Sequence, residues 1–247
     1  MTDKGQSMKR EFFIDGILLV DKPRDWTSHD VCAFVKKRFN IKKVGHAGTL
    51  DPLATGLLVL LLGAATKQSA NLTACDKDYE GVMELGVETD SHDRCGKVLL
   101  ESDPSGITIE MVREKAKIFT GNIIQVPPMV SALKHKGVRL YKLARQGQEV
   151  PREGREVNVQ VFDIRKQDGK FVTFFSSVSK GTYVRTLVHD LGKALGCSAT
   201  LAELRRSRSG VFSIDHSVTI DALKNMMPEE LRTKVLPVRN ANYANTQ

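Results

Sequence analysis

The chain has 247 residues, enough to bury the core of one large domain or two small ones, and its 41% hydrophobic content excludes wholesale disorder. No apolar run reaches the roughly 18–20 residues that a membrane-spanning helix needs, and the polar residues 1–10 lack the apolar region of a signal peptide. An excess of 37 Lys+Arg over 29 Asp+Glu gives a formal net charge of +8, which favours polyanionic partners, RNA or DNA, through counterion release.

Residues 1–10 read as a flexible tail. Gly16 to Asp21, closed by Lys22-Pro23, is a short apolar run that predicts a buried strand. Thr27 and Ser28 offer an N-cap to a helix with apolar residues at Val31, Phe34 and Val35. Gly45 to Gly56 reads Gly-His-Ala-Gly-Thr-Leu-Asp-Pro-Leu-Ala-Thr-Gly. This predicts a polar, glycine-punctuated loop running into the wholly apolar segment Leu57 to Leu62, which must be buried. Pro52 has no N–H, fixes its own φ and biases Asp51 towards an extended conformation, so one carboxylate is presented in a restricted geometry. The loop is not a phosphate cradle, because a P-loop ends in Gly-Lys-Ser/Thr and here Gly48 is followed by Thr49 and Leu50.

Further along, Tyr79, Gly81, Met83, Leu85 and Val87 alternate as in a strand with one buried face. Asp90 to Pro104 is polar and charge-rich and reads as a loop excursion. Thr108 to Phe119 predicts an amphipathic helix stopped by Gly121, and Leu140, Leu143 and Ala144 a short helix ended at Gly147. Val157, Val159 and Val161 alternate in a strand whose hairpin partner is Lys170 to Val178, across Asp168-Gly169. Val184, Leu187, Val188, Leu191 and Leu195 follow helical spacing up to Gly196. Asp221 to Met227 predicts a short helix, and Asn240 to Gln247 a loose tail. Strands and helices mix without regular βαβ alternation, so the fold class is α+β: a mixed or antiparallel sheet flanked by helices.

The charge is unevenly placed. Lys134, Lys136, Arg139, Lys142, Arg145, Arg152 and Arg155 face only Glu149 and Glu153 in their segment, and Arg205, Arg206 and Arg208 form a second cluster. Two such clusters point to nucleic acid. Cys32, Cys75, Cys95 and Cys197 are scattered, without the paired spacing of a zinc site, and read as reduced thiols in a cytoplasm.

The string from Gly45 to Gly56 resembles the catalytic motif of the TruB family of tRNA pseudouridine synthases. The resemblance runs from Gly16 to Phe212 in further blocks that follow the family's order. These are Gly16 to Pro23 with Thr27-Ser28, and Lys77-Asp78-Tyr79-Glu80. Next come Gln125-Val126-Pro127-Pro128 with Ser131 to Lys134 and Arg139-Leu140-Tyr141, then Gly181-Thr182-Tyr183-Val184-Arg185, and last Leu204 to Gly210. It implies a pseudouridine synthase catalytic domain at 11–212. The extension at 213–247, about 35 residues, is too short for the full PUA domain that bacterial members usually carry. The implied activity is isomerisation of uridine-55 in the T-loop of tRNA, by a monomer in the cytoplasm that binds the T-arm and uses no cofactor and no metal.

That reaction breaks the C1′–N1 bond of uridine, rotates the base and rejoins it through C5. It needs an ionised carboxylate and acid–base assistance. By resemblance Asp51 is that carboxylate, and either attack on the base or elimination at the ribose would satisfy the requirement. Desolvation in a base-binding pocket would push such a carboxylate towards its neutral form, and Arg185 is the guanidinium that opposes this. The resemblance makes Tyr79 the ring that stacks on the target base near the proton removed late in the reaction. It makes Tyr183 and Leu204 lining residues of the uracil pocket, and His46 an RNA contact that helps hold the base out of the stack. Lys134, Arg139, Arg145, Arg205, Arg206 and Arg208 are expected to contact RNA. The alternative is a non-catalytic RNA-binding protein or tRNA-folding chaperone on the same scaffold, against which the joint presence of Asp51, Tyr79 and Arg185 argues. A hydrolase using Ser131, His189 and Asp190 lacks the nucleophile elbow such an enzyme needs.

Overall fold

The computed structural model describes residues 12–238 except 132 and 136, with the backbone alone at Lys134, Tyr141 and Arg145. The tails expected at 1–10 and 240–247 lie outside the described residues. In chain order the elements are β1 (Gly16–Lys22), α1 (Ser28–Arg38), β2 (Val44–Ala47), β3 (Thr55–Leu62), α2 (Ser69–Thr73), β4 (Lys77–Leu85), β5 (Val87–Thr89) and β6 (Val98–Glu101). There follow α3 (Ile109–Ala116), β7 (Gly121–Gln125), β8 (Lys134–His135), β9 (Val138–Arg139), α4 (Leu140–Arg145), β10 (Arg155–Asp168), β11 (Phe171–Val178) and α5 (Val184–Leu195). The last are β12 (Ala199–Ser209), β13 (Phe212–Ser213), β14 (Val218–Thr219), α6 (Ile220–Asn225) and α7 (Pro228–Lys234). The class is α+β, as expected. The chain divides into two units, Met1–Cys75 with Arg206–Gln247, and Asp76–Arg205.

In the first unit the apolar run became β3, buried on both faces. Leu57, Val59 and Leu61 pack with Ile17, Leu19, Ala47, Ala65, Leu72 and Phe212, while Leu58, Leu60 and Leu62 are equally inaccessible on the other side. A continuous rather than alternating apolar run encodes this double burial. β1 pairs antiparallel with β3 from Gly16↔Leu62 to Lys22↔Gly56, a register that delivers Lys22 to the loop in front of β3. β14 pairs parallel with β1 and makes the sheet mixed. Leu236 and Ile17 exchange backbone hydrogen bonds of 2.9 and 2.8 Å, so segment 213–238 is built into this unit's sheet. Thr27 caps α1 through a reciprocal box with Asp30.

In the second unit the strand order is β12, β4, β11, β10, β7, with β12 contributing its first residues. The predicted alternation in β4 holds: Tyr79, Met83 and Leu85 are buried on one face. Gly81 lies opposite Phe174, whose ring fills the place a Cβ would take. The hairpin of β10 and β11 forms where Asp168-Gly169 placed it. Val157 and Val159 face inward as predicted, but Val161 is 39% exposed. A register shift between Val159 and Val161 turns the strand over, so Phe162 takes the inner place instead.

The stretch expected as a loop, Asp90 to Pro104, contains β6, which pairs antiparallel with β5. Asp93 organises the turn before it: its carboxylate accepts from Ser91 Oγ at 2.7 Å and from Cys95 N at 3.0 Å, and its carbonyl accepts from Thr89 Oγ1 at 2.7 Å. Polar side chains that bond their own backbone create order that hydropathy does not register. Helix α7 was not predicted; Pro228 stands at its first position, where proline is favoured.

Helix α5 runs close to the start of β12 at Gly192. A Cβ there would collide with the backbone of Ser198 and Ala199. Gly192→Ala is therefore expected to lower the unfolding free energy by about 1–3 kcal/mol in urea titrations, as overpacking does. Gly106→Ala, at a glycine with nothing around its Cβ position, should leave it nearly unchanged.

Candidate active site

In the first unit, the turn from Gly48 to Gly56 carries Asp51 at the mouth of β3. Glycines bound this turn because both ends take left-handed φ, +88° at Gly48 and +97° at Gly56. Between them three buried side chains hold the backbone. Ser28 Oγ accepts from Leu50 N at 2.8 Å and lies 3.1 Å from Leu50 O. Arg206 donates from Nη2 to Gly48 O at 3.1 Å and from Nε to Leu57 O at 2.7 Å. Lys22 Nζ donates to Trp26 O at 2.6 Å, Pro23 O at 2.8 Å and Pro52 O at 3.3 Å. Asp25 N adds a bond to Pro52 O, and Ala54 N one to Asp51 O. Asp51 itself is half-buried.

Lys22 is fully buried, and burial pushes its pKa down to about 8. Asp51 is the strongest of the charges that resist the shift, so at neutral pH the ammonium remains mostly protonated beside the carboxylate. Sequence reading gave Lys22, Ser28 and Arg206 no part in this loop. Arg206 was expected to contact RNA, but it is 1% exposed and its guanidinium is turned inward onto two carbonyls. That is a correction, and its cause is the pair of main-chain carbonyls, Leu57 O and Gly48 O, that draw the guanidinium inward while its neighbours Leu204, Arg205, Ser207 and Arg208 stay half-buried. Arg208, also half-buried, donates to Gly210 O at 2.9 Å.

His46 is on β2, two residues before the turn. Its Nδ1 is buried without a hydrogen-bond partner among the described residues. Burial first, then the Arg206 charge, holds its pKa below the usual histidine value, so the ring is neutral.

In the second unit, Tyr183 precedes α5 and Arg185 lies in its first turn. Tyr183 has no side-chain cap of its own. The buried amide of Gln125 instead fixes the residue's own backbone, accepting from Tyr183 N at 2.8 Å and donating to Tyr183 O at 3.2 Å. Gln125, like Lys22 and Ser28, was quoted in the sequence reading without a role at the site. Arg185 is 4% exposed. Its Nη1 donates to Ser91 O at 3.0 Å and its Nη2 to Val130 O at 2.7 Å, with Asp93 Oδ2 at 3.9 Å. The guanidinium also lies 5.8 Å from the centroid of the Tyr183 ring, within cation–π range.

Tyr79 is buried on β4, and Leu204 is half-buried on β12. Arg139 is exposed on β9, the partner of β8 in a small hairpin. The side chains of Lys134 and Arg145 lie outside the described residues. Thr182 Oγ1 and Ser131 Oγ are buried without partners among the described residues, and such orphaned polar atoms call for an explanation.

The fold is that of the pseudouridine synthases. A solved structure described as a Cbf5-Nop10-Gar1 complex is similar with a TM-score of 0.69 and 31% identity, covering 90% of this chain and 60% of that chain. The chain thus spans about three fifths of that structural relative. The model of the TruB family pseudouridylate synthase N-terminal domain matches residues 36–184, and that of the tRNA pseudouridylate synthase B C-terminal domain matches residues 185–241. The tRNA pseudouridine synthase B of Opitutus terrae is 46% identical over 228 residues, 92% of this chain and 95% of that protein. Its namesake from Geotalea uraniireducens is 51% identical over 208 residues, 84% of this chain and 67% of that protein. The chain belongs to the TruB family. Among the described residues no helix is long and apolar enough to cross a membrane.

Two predictions follow from the burial of these groups. Ser28→Ala removes the acceptor of Leu50 N inside the protein, which should cost about 1–3 kcal/mol. Amide hydrogen exchange should show Leu50 losing protection while the core of β3 keeps its own. The second concerns pH. Burial lowers the pKa of His46, His189 and His92, the last to about 3. Between the ordinary histidine value of 6.5 and these lower values the unfolded chain binds more protons than the folded one. The histidines' contribution to stability is therefore present above pH 6.5 and is lost as pH falls towards 3, opposed in part by Asp190, whose carboxyl pKa is raised by burial to about 6. Urea midpoints measured across that window should decline, and less steeply in His92→Phe.

Proposed function

We propose that this chain is a tRNA pseudouridine synthase that isomerises uridine-55 in the T-loop, acting as a monomer in the cytoplasm on the T-arm. The support comes from family membership, from relatives named for that activity, and from one observation above the others. The carboxylate of Asp51 sits on a turn whose backbone is held by Lys22, Ser28 and Arg206. Catalysis requires a reacting group fixed before the substrate arrives.

In the proposed reaction the uridine is flipped out of the stack, which costs a few kcal/mol. Asp51 initiates cleavage of C1′–N1. The base turns and C1′–C5 forms. A proton then leaves C5 and one is taken up at N1, so the product is an isomer and no oxidant or reductant is consumed. Arg185 counters the carboxylate charge, Tyr79 stacks on the base near the C5 proton, and Tyr183 and Leu204 line the uracil. His46, half-buried on β2, contacts the RNA. Arg139, Arg145, Lys134, Arg205 and Arg208 supply phosphate contacts. The catalytic domain at 11–212 carries these residues, with 213–247 as a short extension.

The test is tritium release from tRNA transcribed with C5-labelled uridine. Wild type should release one equivalent per tRNA, and Asp51→Asn should be slower by at least about 10³-fold while binding tRNA with similar affinity. Binding without release by wild type would move the reading to a non-catalytic RNA-binding protein or tRNA-folding chaperone.

A further inference from the structure

In the second unit the rings of His92 and His189 lie face to face, centroids 3.7 Å apart and planes within 5°. His189 is on α5, one helical turn after Arg185, and is 6% exposed. His92 belongs to the Asp93-centred turn and holds a left-handed φ of +63°, a conformation that histidine enters more readily than bulkier side chains do. The turn is fixed on its other flank by β12, where Leu201 N donates to His92 O at 3.0 Å and Arg94 N to Leu201 O at 2.9 Å. His92 Nδ1 lies 3.4 Å from Thr186 Oγ1, the residue after Arg185. The carbonyl that receives Arg185 Nη1 is that of Ser91, immediately before His92.

We propose that the stacked pair His92–His189 is a positioning clamp for Arg185, locking the turn that carries Ser91 O and Asp93 against the helix that carries the guanidinium. The ring of His92 bears on α5 between Thr186 and His189, so the turn cannot slide along the helix axis without unstacking. Ser91 O and the Asp93 carboxylate keep their places relative to Nη1 for as long as the stack persists. Both rings are neutral, which lets them meet face to face. The cations around them are Arg185 and Lys193 on α5 and Arg152 from the segment after α4. The carboxylate facing His189 is Glu88 of β5, at 3.9 Å, and it also pairs with Lys193 at 3.6 Å. His92 and His189 touch no reacting atom in the proposed reaction. They act through Arg185, and the inference rests on Arg185 being a working group there.

The test compares His92→Asn, which tolerates the left-handed backbone but removes the ring, with His189→Phe, which keeps a flat ring in the stack from an ordinary helical position. Single-turnover tritium release should slow by about tenfold to a hundredfold in His92→Asn, the scale of a small misplacement of a catalytic group, with the Kd for tRNA unchanged. His189→Phe should stay within about threefold of wild type. Arginine-selective ¹⁵N spectra of the protein without RNA supply the second readout. Wild type and His189→Phe should show separate, slowly exchanging Nη protons for Arg185, and His92→Asn an averaged signal. Unchanged turnover and unchanged Arg185 signals in folded His92→Asn would overturn the clamp, as would a loss in His189→Phe equal to that in His92→Asn. Absence of turnover by wild type would instead overturn the proposed reaction, and the Arg185 spectra would still decide the clamp.

Discussion

Two buried cations, Lys22 and Arg206, hold the backbone around Asp51, and the geometry of the site depends on them. Neither forms a salt bridge among the described residues; both donate to main-chain carbonyls. Taking an ammonium or guanidinium out of water costs several kcal/mol, whereas each hydrogen bond from a charged donor returns about 1.5–3 kcal/mol. Lys22 makes three such bonds and Arg206 two, so costs and gains are of similar size. The net effect on stability is small, and what the arrangement produces is a fixed loop. Apolar residues of the same volume would fill the space but could not bind Gly48 O, Pro52 O and Leu57 O.

The second unit solves the same problem in the same way. Gln125 grips Tyr183 through both polar atoms of its backbone, and the carbonyls of Ser91 and Val130 receive the Arg185 guanidinium. Side chains address main chain in each case, so the position of a functional group is set by backbone geometry that the sheets already fix. A rigid sheet thereby passes its precision to loops, which alone would be too mobile to hold a reacting group.

Much of this was legible in the sequence. Leu57 to Leu62 announced a buried segment because nothing polar interrupts it, and Thr27-Ser28 announced a helix start ahead of Val31, Phe34 and Val35. The Gly45 to Gly56 string marked the turn that carries Asp51, although Gly45 to Ala47 belong to β2. Polar residues with interior roles were not legible. Arg206 is of a residue type usually found at the surface, and only its bonds to Leu57 O and Gly48 O, far away in sequence, reveal that it points inward. The Asp93 turn reads as a solvated loop because its order comes from short-range bonds of Asp, Ser and Thr that leave no periodic trace. Val161 kept the alternation on paper while a bulge reversed it in space. For Arg206 and Val161 the deciding fact was a partner distant in sequence or a shift of register, and for the Asp93 turn a set of local polar bonds.

The buried cations also bear on the choice between a catalyst and a protein that merely binds RNA. Affinity for a polyanion comes from cations that meet phosphates and release counterions, a service that exposed residues such as Arg139 can render. Lys22 and Arg206 are inaccessible and can add nothing to it by direct contact. Their effect falls on the turn that presents Asp51, a carboxylate that itself repels phosphate. A binder would gain affinity by exposing those two charges and removing the third. Burying two cations to fix one carboxylate is intelligible where that carboxylate must react, since catalysis rewards a group already in place when the transition state forms.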